Sequence, residues 1–389
     1  MAQFDFDKLV NRRHTDSIKW RQPDDVLPMW VADTDFLAPP QVIAALQQRV
    51  SHGIFGYHHE SPTLRATVVA WVAQRYGWSI EPEWILFLPD VMRGVNLAAQ
   101  TLARPGDGIL VQTPVYAPFF DVVRNARCIQ QDAPLVADAS GRYHFDMDAL
   151  EAAVTPETSV FLLCSPQNPT GRVFSRPELE AIAAFCQRHQ LSIISDDIHA
   201  DLIFSEAQHT PIASLDADLA RRTATFIAPS KTFNLAGLKA AVGIVPDAEL
   251  RQRMQAQHRG LMARVNLLGQ VAMETAYSQG APWLDAMRLY LQDNRDFLLA
   301  FIAAGQLPGV RMARPDGTFL AWLDFSKTAW AHEPARHIRE QARVVVNEGT
   351  WFGDAGAGFA RLNFGCPRAT LEEGLTRIQQ AMARHQSRA

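Results

Sequence analysis

The chain has few of the features that mark several large protein classes. Its four cysteines, Cys128, Cys164, Cys186 and Cys366, are widely separated and show no metal or redox spacing, so no metal site is expected. Cys164 and Cys186 sit in apolar patterns and read as buried free thiols. No run of Lys and Arg interrupts a net charge of −4, which gives nucleic acid no face to bind. No apolar stretch approaches the roughly 18 residues of a membrane span. The N-terminal residues Met-Ala-Gln-Phe-Asp-Phe-Asp-Lys carry no basic segment followed by an apolar one, so no secretory signal is visible. Repeats and low-complexity linkers are also absent. The expectation is a cytoplasmic protein that uses neither nucleic acid nor membrane.

What is present is a globular composition: 389 residues, 48% hydrophobic and 20% charged, with 22 glycines and 23 prolines spread along the chain. That length exceeds one simple core and predicts either two domains or one large α/β domain with an appendage. Residues 1 to 45 are irregular and rich in Pro, Asp and Trp, turning helical from about Pro40. From about 60 to 275, helical segments alternate with short apolar runs: Trp84–Leu88, Gly108–Val111, Val160–Leu163, Leu191–Ser195 and Ala224–Ile227. Amphipathic stretches such as Pro177–His189 separate them. Continuous apolar strands with helices between them predict βα units and a mostly parallel sheet covered on both faces. A long helical region is expected from about Glu249 to Ala304, broken near Gly280-Ala281-Pro282. The last hundred or so residues read as α+β, with strands near Val310–Met312, Phe319–Leu323 and Phe359–Phe364. The predicted division is a large domain at 46–284 and a smaller one built from 1–45 and 285–389.

Three polar motifs fall at the carboxyl ends of the predicted strands, where an open parallel sheet binds its ligands. Asn168, in Ser-Pro-Gln-Asn-Pro-Thr-Gly, follows the run at 160; Asp196 ends the run at 190; Lys231, in Ala-Pro-Ser-Lys-Thr-Phe-Asn-Leu-Ala-Gly, follows the run at 220. Singly, each has an ordinary reading: a turn asparagine, a capping aspartate, a solvated lysine. Together they supply an amide donor, a carboxylate and an amine, the groups that pyridoxal phosphate (PLP) requires of a protein.

These motifs resemble those of fold-type I PLP-dependent enzymes in the aminotransferase class I/II superfamily, and more closely the MalY/PatB group of cystathionine β-lyases. The resemblance also runs through Pro28–Phe36 (Pro-Met-Trp-Val-Ala-Asp-Thr-Asp-Phe), Phe55-Gly56-Tyr57, Gln112–Tyr116, Ser195–Leu202 and Arg361–Gly365. The Asn-Pro and Ser-Lys elements are shared with aminotransferases generally. The Trp-Val-Ala-Asp-x-Asp-Phe opening and the Asp-Ile-His-Ala-Asp-Leu run point to the lyase branch. The implied fold is a large domain with a mostly parallel sheet covered by helices, plus a smaller α+β domain.

The resemblance also implies roles. Lys231 is similar to the lysine that holds PLP as a Schiff base and, once freed, takes the substrate's Cα proton. Asp196 would pair with the pyridine nitrogen and keep it charged; Asp197 is the less fitting partner on the family's register. Asn168 would bond the phenolic oxygen, and Tyr116 would stack on the ring; both would also border the substrate. The phosphate would meet the backbone at Val91 and Met92, where a helix opens, together with the Ser230 hydroxyl. Tyr57 would reach the phosphate of a neighbouring subunit, implying a homodimer with shared active sites. Arg361 resembles the clamp for the substrate α-carboxylate, a task suited to a planar guanidinium. His199 stands where related aminotransferases carry a tyrosine, and a cofactor-side role and a purely structural one both stay open. Two departures stand out. Lys239 occupies the place of a phosphate-binding arginine in many aminotransferases, either as a point charge or facing away. Thr34 replaces the usual methionine of the Asp-Met-Asp-Phe opening.

The activity implied is β-elimination from an amino-acid thioether. L-Cystathionine would yield homocysteine, pyruvate and ammonia, and related S-substituted cysteines could serve equally, placing the enzyme in amino-acid metabolism and methionine biosynthesis. An aminotransferase would use the same residues but reprotonate the cofactor carbon instead of losing a β-substituent. A regulatory binding protein on the same fold is the third reading. The intact set Lys231, Asp196 and Arg361 argues against a purely non-enzymatic role.

Overall fold

A computed structural model describes residues 4–386; Met1, Ala2 and Gln3 of the N-terminal stretch lie outside it. Its centre is a seven-stranded sheet. In chain order the strands are β1 (Ile85–Leu88), β2 (Gly108–Val111), β3 (Ile129–Asp132), β4 (Thr158–Cys164), β5 (Ser192–Asp196), β6 (Thr223–Ile227) and β7 (Ala241–Ile244). In space they run β1-β7-β6-β5-β4-β2-β3, with β7 antiparallel to both of its neighbours. The pairs from β3 to β6 are parallel. The predicted mostly parallel sheet is therefore present.

The interior strands are largely apolar because both faces are covered, and alternate side chains enter different cores. Ile109, Val111, Val160, Leu162 and Ile194 join Val95 and Phe119 on one face. Leu110, Phe161, Leu163 and Ile193 join Ile182 and Phe185 on the other. The helix Val91–Leu102 packs closely on the first face: a Cβ at Gly94 would lie 2.6 Å from the Phe226 ring. Only glycine permits this approach, which brings the helix start to the edge of the sheet.

The sequence reading did not place β3 and β7. The edge strand β3, Ile-Gln-Gln-Asp, is largely exposed and so lacks an apolar run. Gly243 interrupts β7, where a Cβ would meet Phe226 at 3.0 Å. The helical region predicted from Glu249 to Ala304 is three helices, Ala248–His258, Leu267–Gln279 and Ala281–Ala303. The break near Gly280 is where it was expected. A second break spans 259–266, with Gly260 at φ +77° and Asn266 capping the next helix through Gly269 N–H at 2.8 Å. The unbroken helical stretch expected before Gly280 is thus corrected to two helices, the second opened by an N-cap that apolar periodicity does not register.

The C-terminal part forms an antiparallel sheet of β8 (Arg311–Met312), β9 (Leu320–Asp324), β10 (Asn347–Glu348) and β11 (Phe359–Asn363), in the order β8-β9-β11-β10. Buried Asn294 on the helix Ala281–Ala303 donates to the carbonyls of Phe364 and Cys366, tying that helix to the end of β11. The predicted domain limits at 46 and 285 fall inside the helices Pro40–Ser51 and Ala281–Ala303.

Candidate active site

The carboxyl ends of β4, β5 and β6 open onto a cavity of about 360 Å³, closed from the other side by the Trp30–Ala32 segment and by Asn347, Trp351 and Arg361. Asn168, Asp196, His199, Ser230, Lys231, Tyr116, Val91, Met92 and Arg361 all line it. Tyr57 does not: it stands fully exposed on the outside of its own chain.

Lys231 sits in a short helix, Pro229–Thr232, directly after β6. The next residue, Thr232, donates its hydroxyl to Asp201 Oδ2 at 2.9 Å, and Tyr76 donates to Asp201 Oδ1 at 2.9 Å. These buried bonds hold the helix in place. Lys231 Nζ donates to Ala32 O at 2.6 Å. Burial, reinforced by the Arg361 charge, pulls the amine down to about 8. An amine so placed is readily deprotonated and able to attack a carbonyl carbon.

Asp196 ends β5, and the one hydrogen bond to its carboxylate among the described residues comes from Ile198 N–H at 3.1 Å. Burial is the main cause that lifts it to about 7, and Asp197 adds to the effect. Asp197 points elsewhere, bonded to His209 and Ser195. The strand's alternation separates the two aspartates: one faces the cavity and the other the interior.

Arg361, on β11, is buried with its guanidinium over the Phe352 ring at 4.9 Å. Nη1 donates to Asn168 Oδ1 at 2.9 Å, and Nη2 donates to Asn347 Oδ1 at 2.6 Å and to Trp30 O at 2.8 Å. Its Nε has no partner among the described residues. Because Asn168 accepts through its oxygen, its amide N–H groups are left for the cavity.

His199 is buried, with Nδ1 lacking a partner among the described residues and its ring 6.0 Å from Phe319. Burial, with the Lys231 and Arg361 charges, pushes it down to about 3, so the ring is neutral. The half-buried Tyr116 meets Trp351 edge-on at 6.4 Å. At the start of the helix Val91–Leu102, Asp90 caps Arg93 N–H at 2.9 Å, leaving the first N–H groups directed at the cavity. Lys239 also lines the cavity, with Nζ 3.7 Å from Asp90 Oδ2.

The Trp30–Phe36 segment is pinned over Lys231. Asp35 accepts from Arg12, from buried Lys19 at 2.7 Å and from Trp20 at 2.7 Å. Asn363 donates to the carbonyls of Val31 and Asp33, and Asn234 to those of Thr34 and Phe36. Thr34 is buried with its hydroxyl unpartnered among the described residues. Sequence reasoning gave no role to Asn347, Trp351 or the Ala32 carbonyl. Asn347 sits in a two-residue strand and Trp351 in a short turn, and a backbone carbonyl carries no identity in sequence.

The residues present fit a pyridine cofactor bearing an aldehyde and a phosphate. They offer an amine at the cavity floor, a singly bonded buried carboxylate, free amide donors, an aromatic wall and an anion-binding helix start. Fold and site together define an α/β enzyme with its candidate reacting groups at the strand ends and a guanidinium from the second sheet. A model of the aminotransferase class I and II family matches residues 24–378, and the chain belongs to that family. It is 40% identical to cystathionine beta-lyase PatB of Bacillus subtilis, over 97% of this chain and 100% of that one. It is 34% identical to protein MalY of Escherichia coli, over 97% and 99%. Cystalysin from Treponema denticola, whose crystal structure contains pyridoxal 5'-phosphate, superposes with a TM-score of 0.93 at 30% identity, covering 98% of this chain and 99% of that one.

Proposed function

We propose that the protein is a PLP-dependent carbon–sulfur β-lyase that cleaves L-cystathionine and related S-substituted cysteines to a thiol, pyruvate and ammonia. The observation that carries this reading is the convergence of Lys231, Asp196 and Arg361 on one cavity in a chain similar end to end to cystathionine β-lyases.

When bound, PLP supplies an electron sink for negative charge formed at the substrate's Cα. Lys231 would hold it covalently and then accept the substrate's Cα proton, a task suited to an amine pulled down to about 8. Asp196 would keep the ring nitrogen protonated, and Asn168 would donate to the phenolic oxygen. Tyr116 would offer an aromatic face to the ring, while Val91 N–H, Met92 N–H and Ser230 would hold the phosphate, with Lys239 as an added point charge. Neutral His199 lines the same cavity and would add no charge there. Arg361 exchanges its contacts with Asn347 and Trp30 for the two oxygens of the α-carboxylate. The C–S electrons leave with sulfur as a thiolate, and the remaining enamine hydrolyses to pyruvate and ammonia.

The fully exposed Tyr57, beside exposed Ile54 and Phe55, supports a homodimer in which this segment reaches the neighbour's phosphate. Residues 46–284 are taken as the large domain, with 1–45 and 285–389 as the small one. No helix among the described residues is long and apolar enough to cross a membrane; cytoplasmic placement is part of the proposal. The test is incubation of PLP-loaded protein with L-cystathionine and no 2-oxo acid, following pyruvate and thiol together. Equimolar release establishes elimination; amino-group transfer that appears only after a 2-oxo acid is added moves the assignment to aminotransferase.

A further inference from the structure

Two carboxylates follow one another at the end of β5, and only Asp196 belongs to the cavity. Asp197 Oδ2 accepts from His209 Nε2 at 2.9 Å, and its Oδ1 accepts from the Ser195 hydroxyl. All three side chains are buried. Tyr76 meets the His209 ring edge-on at 5.6 Å; Asp201 lies beyond it, with Arg75 Nε 4.0 Å away. None of these groups lines the cavity, and the chemistry described above uses neither Asp197 nor His209.

We propose that His209 is a positioning residue for Asp196: by holding and compensating Asp197, it leaves Asp196 as the one carboxylate that faces the cofactor's ring nitrogen, in its ionised form. This rests on the PLP reading above. Two adjacent carboxylates in a low-dielectric interior oppose each other's ionisation. A buried carboxylate stripped of its partner either takes up a proton, turns to another donor, or imposes its charge on its neighbours. Burial, and after it the Asp197 charge, already raises Asp196, so little margin is left before it becomes a neutral acid unable to hold a pyridinium. The His209 bond also closes the loop from Asp197 onto the sheet, which keeps Asp197 in the interior rotamer.

The experiment compares wild-type holoenzyme with His209→Ala, His209→Gln and the double variant His209→Ala/Asp197→Asn. The readouts are PLP affinity, the pH dependence of the bound cofactor's visible absorption, and kcat and KM with L-cystathionine. His209→Ala is expected to weaken PLP about tenfold, the effect of one pK unit at Asp196, and to lower kcat with KM little changed. Glutamine places an N–H near the lost Nε2 and should recover most of the loss. Adding Asp197→Asn removes the uncompensated charge and should also recover activity and absorption relative to His209→Ala. A purely structural His209 gives a double variant at least as impaired as the single one. That result, or unchanged affinity and absorption in His209→Ala, overturns the inference. If His209→Ala does not fold, His209→Gln must match wild type and the double variant must retain PLP binding; failure of either overturns it. Wild type that takes up no PLP overturns the cofactor reading itself, a result read without any variant.

Discussion

Arg361 Nη1 donates to Asn168 Oδ1 at 2.9 Å, across a sequence separation of 193 residues. The bond joins β11, one of the two inner strands of the C-terminal sheet, to the loop after β4. The proposed carboxylate clamp and the proposed donor to the cofactor therefore orient each other.

Replacing Arg361 with Ala is expected to raise KM for L-cystathionine by about 10- to 100-fold, the cost of a lost charge-assisted fork. Lysine restores the charge but not the fork, so Arg361→Lys should recover only part of the loss. Steady-state kinetics on both variants check this, and an unchanged KM counts against the clamp.

Lys231→Ala should lower turnover by at least about 10³-fold, since it removes both nucleophile and base. Borohydride treatment of the wild type should fix the cofactor to the peptide containing Lys231, as read by mass spectrometry. The variant should gain no such mass.

The two buried titrating groups predict opposite slopes in the stability of the cofactor-free protein. Asp196, raised to about 7 from 3.8, binds its proton more tightly when folded; its contribution is fully present below pH 3.8 and is lost as pH rises through about 7. Lys231 is lowered to about 8 from 10.5, so the unfolded chain binds more protons across that window and stability rises with pH there. Denaturation midpoints measured against pH should therefore lose the acid-side fall in Asp196→Asn and the alkaline rise in Lys231→Met.

Shared active sites predict complementation. Tyr57→Ala and Lys231→Ala should each be impaired, but a heterodimer of the two contains one site with both residues intact. Mixing them under exchange conditions should give activity above the sum of the separate variants. No gain, with exchange confirmed by differently tagged chains, excludes sharing.

Tyr76→Phe leaves one oxygen of buried Asp201 without its donor and should cost about 1–3 kcal/mol of stability. Because Asp201 also holds Thr232, kcat should fall with it through looser placement of Lys231. Urea denaturation and kinetics on the same preparation test the pair of effects.

Much of this protein could be read in one dimension because its chemistry sits at strand ends. Apolar runs announce buried parallel strands, and the residues just after them must face the ligand crevice, so Asn168, Asp196 and Lys231 could be located from local pattern alone. The same physics explains the omissions. The exposed edge strand β3 has no apolar run, and the cap at Asn266 leaves no mark in helical periodicity. Asn347 and Trp351 come from short elements without a pattern, and the Ala32 carbonyl carries no side-chain signal. The family's register already favoured Asp196 over Asp197, and the tertiary structure shows why: Asp196 lines the cavity while Asp197 is bonded away from it. Only the tertiary structure decided that His209 holds the second aspartate and that Arg361 arrives from a separate sheet to meet Asn168. Local sequence sets which groups a strand end presents; partners brought together from distant parts of the chain are chosen by packing, which no local pattern encodes.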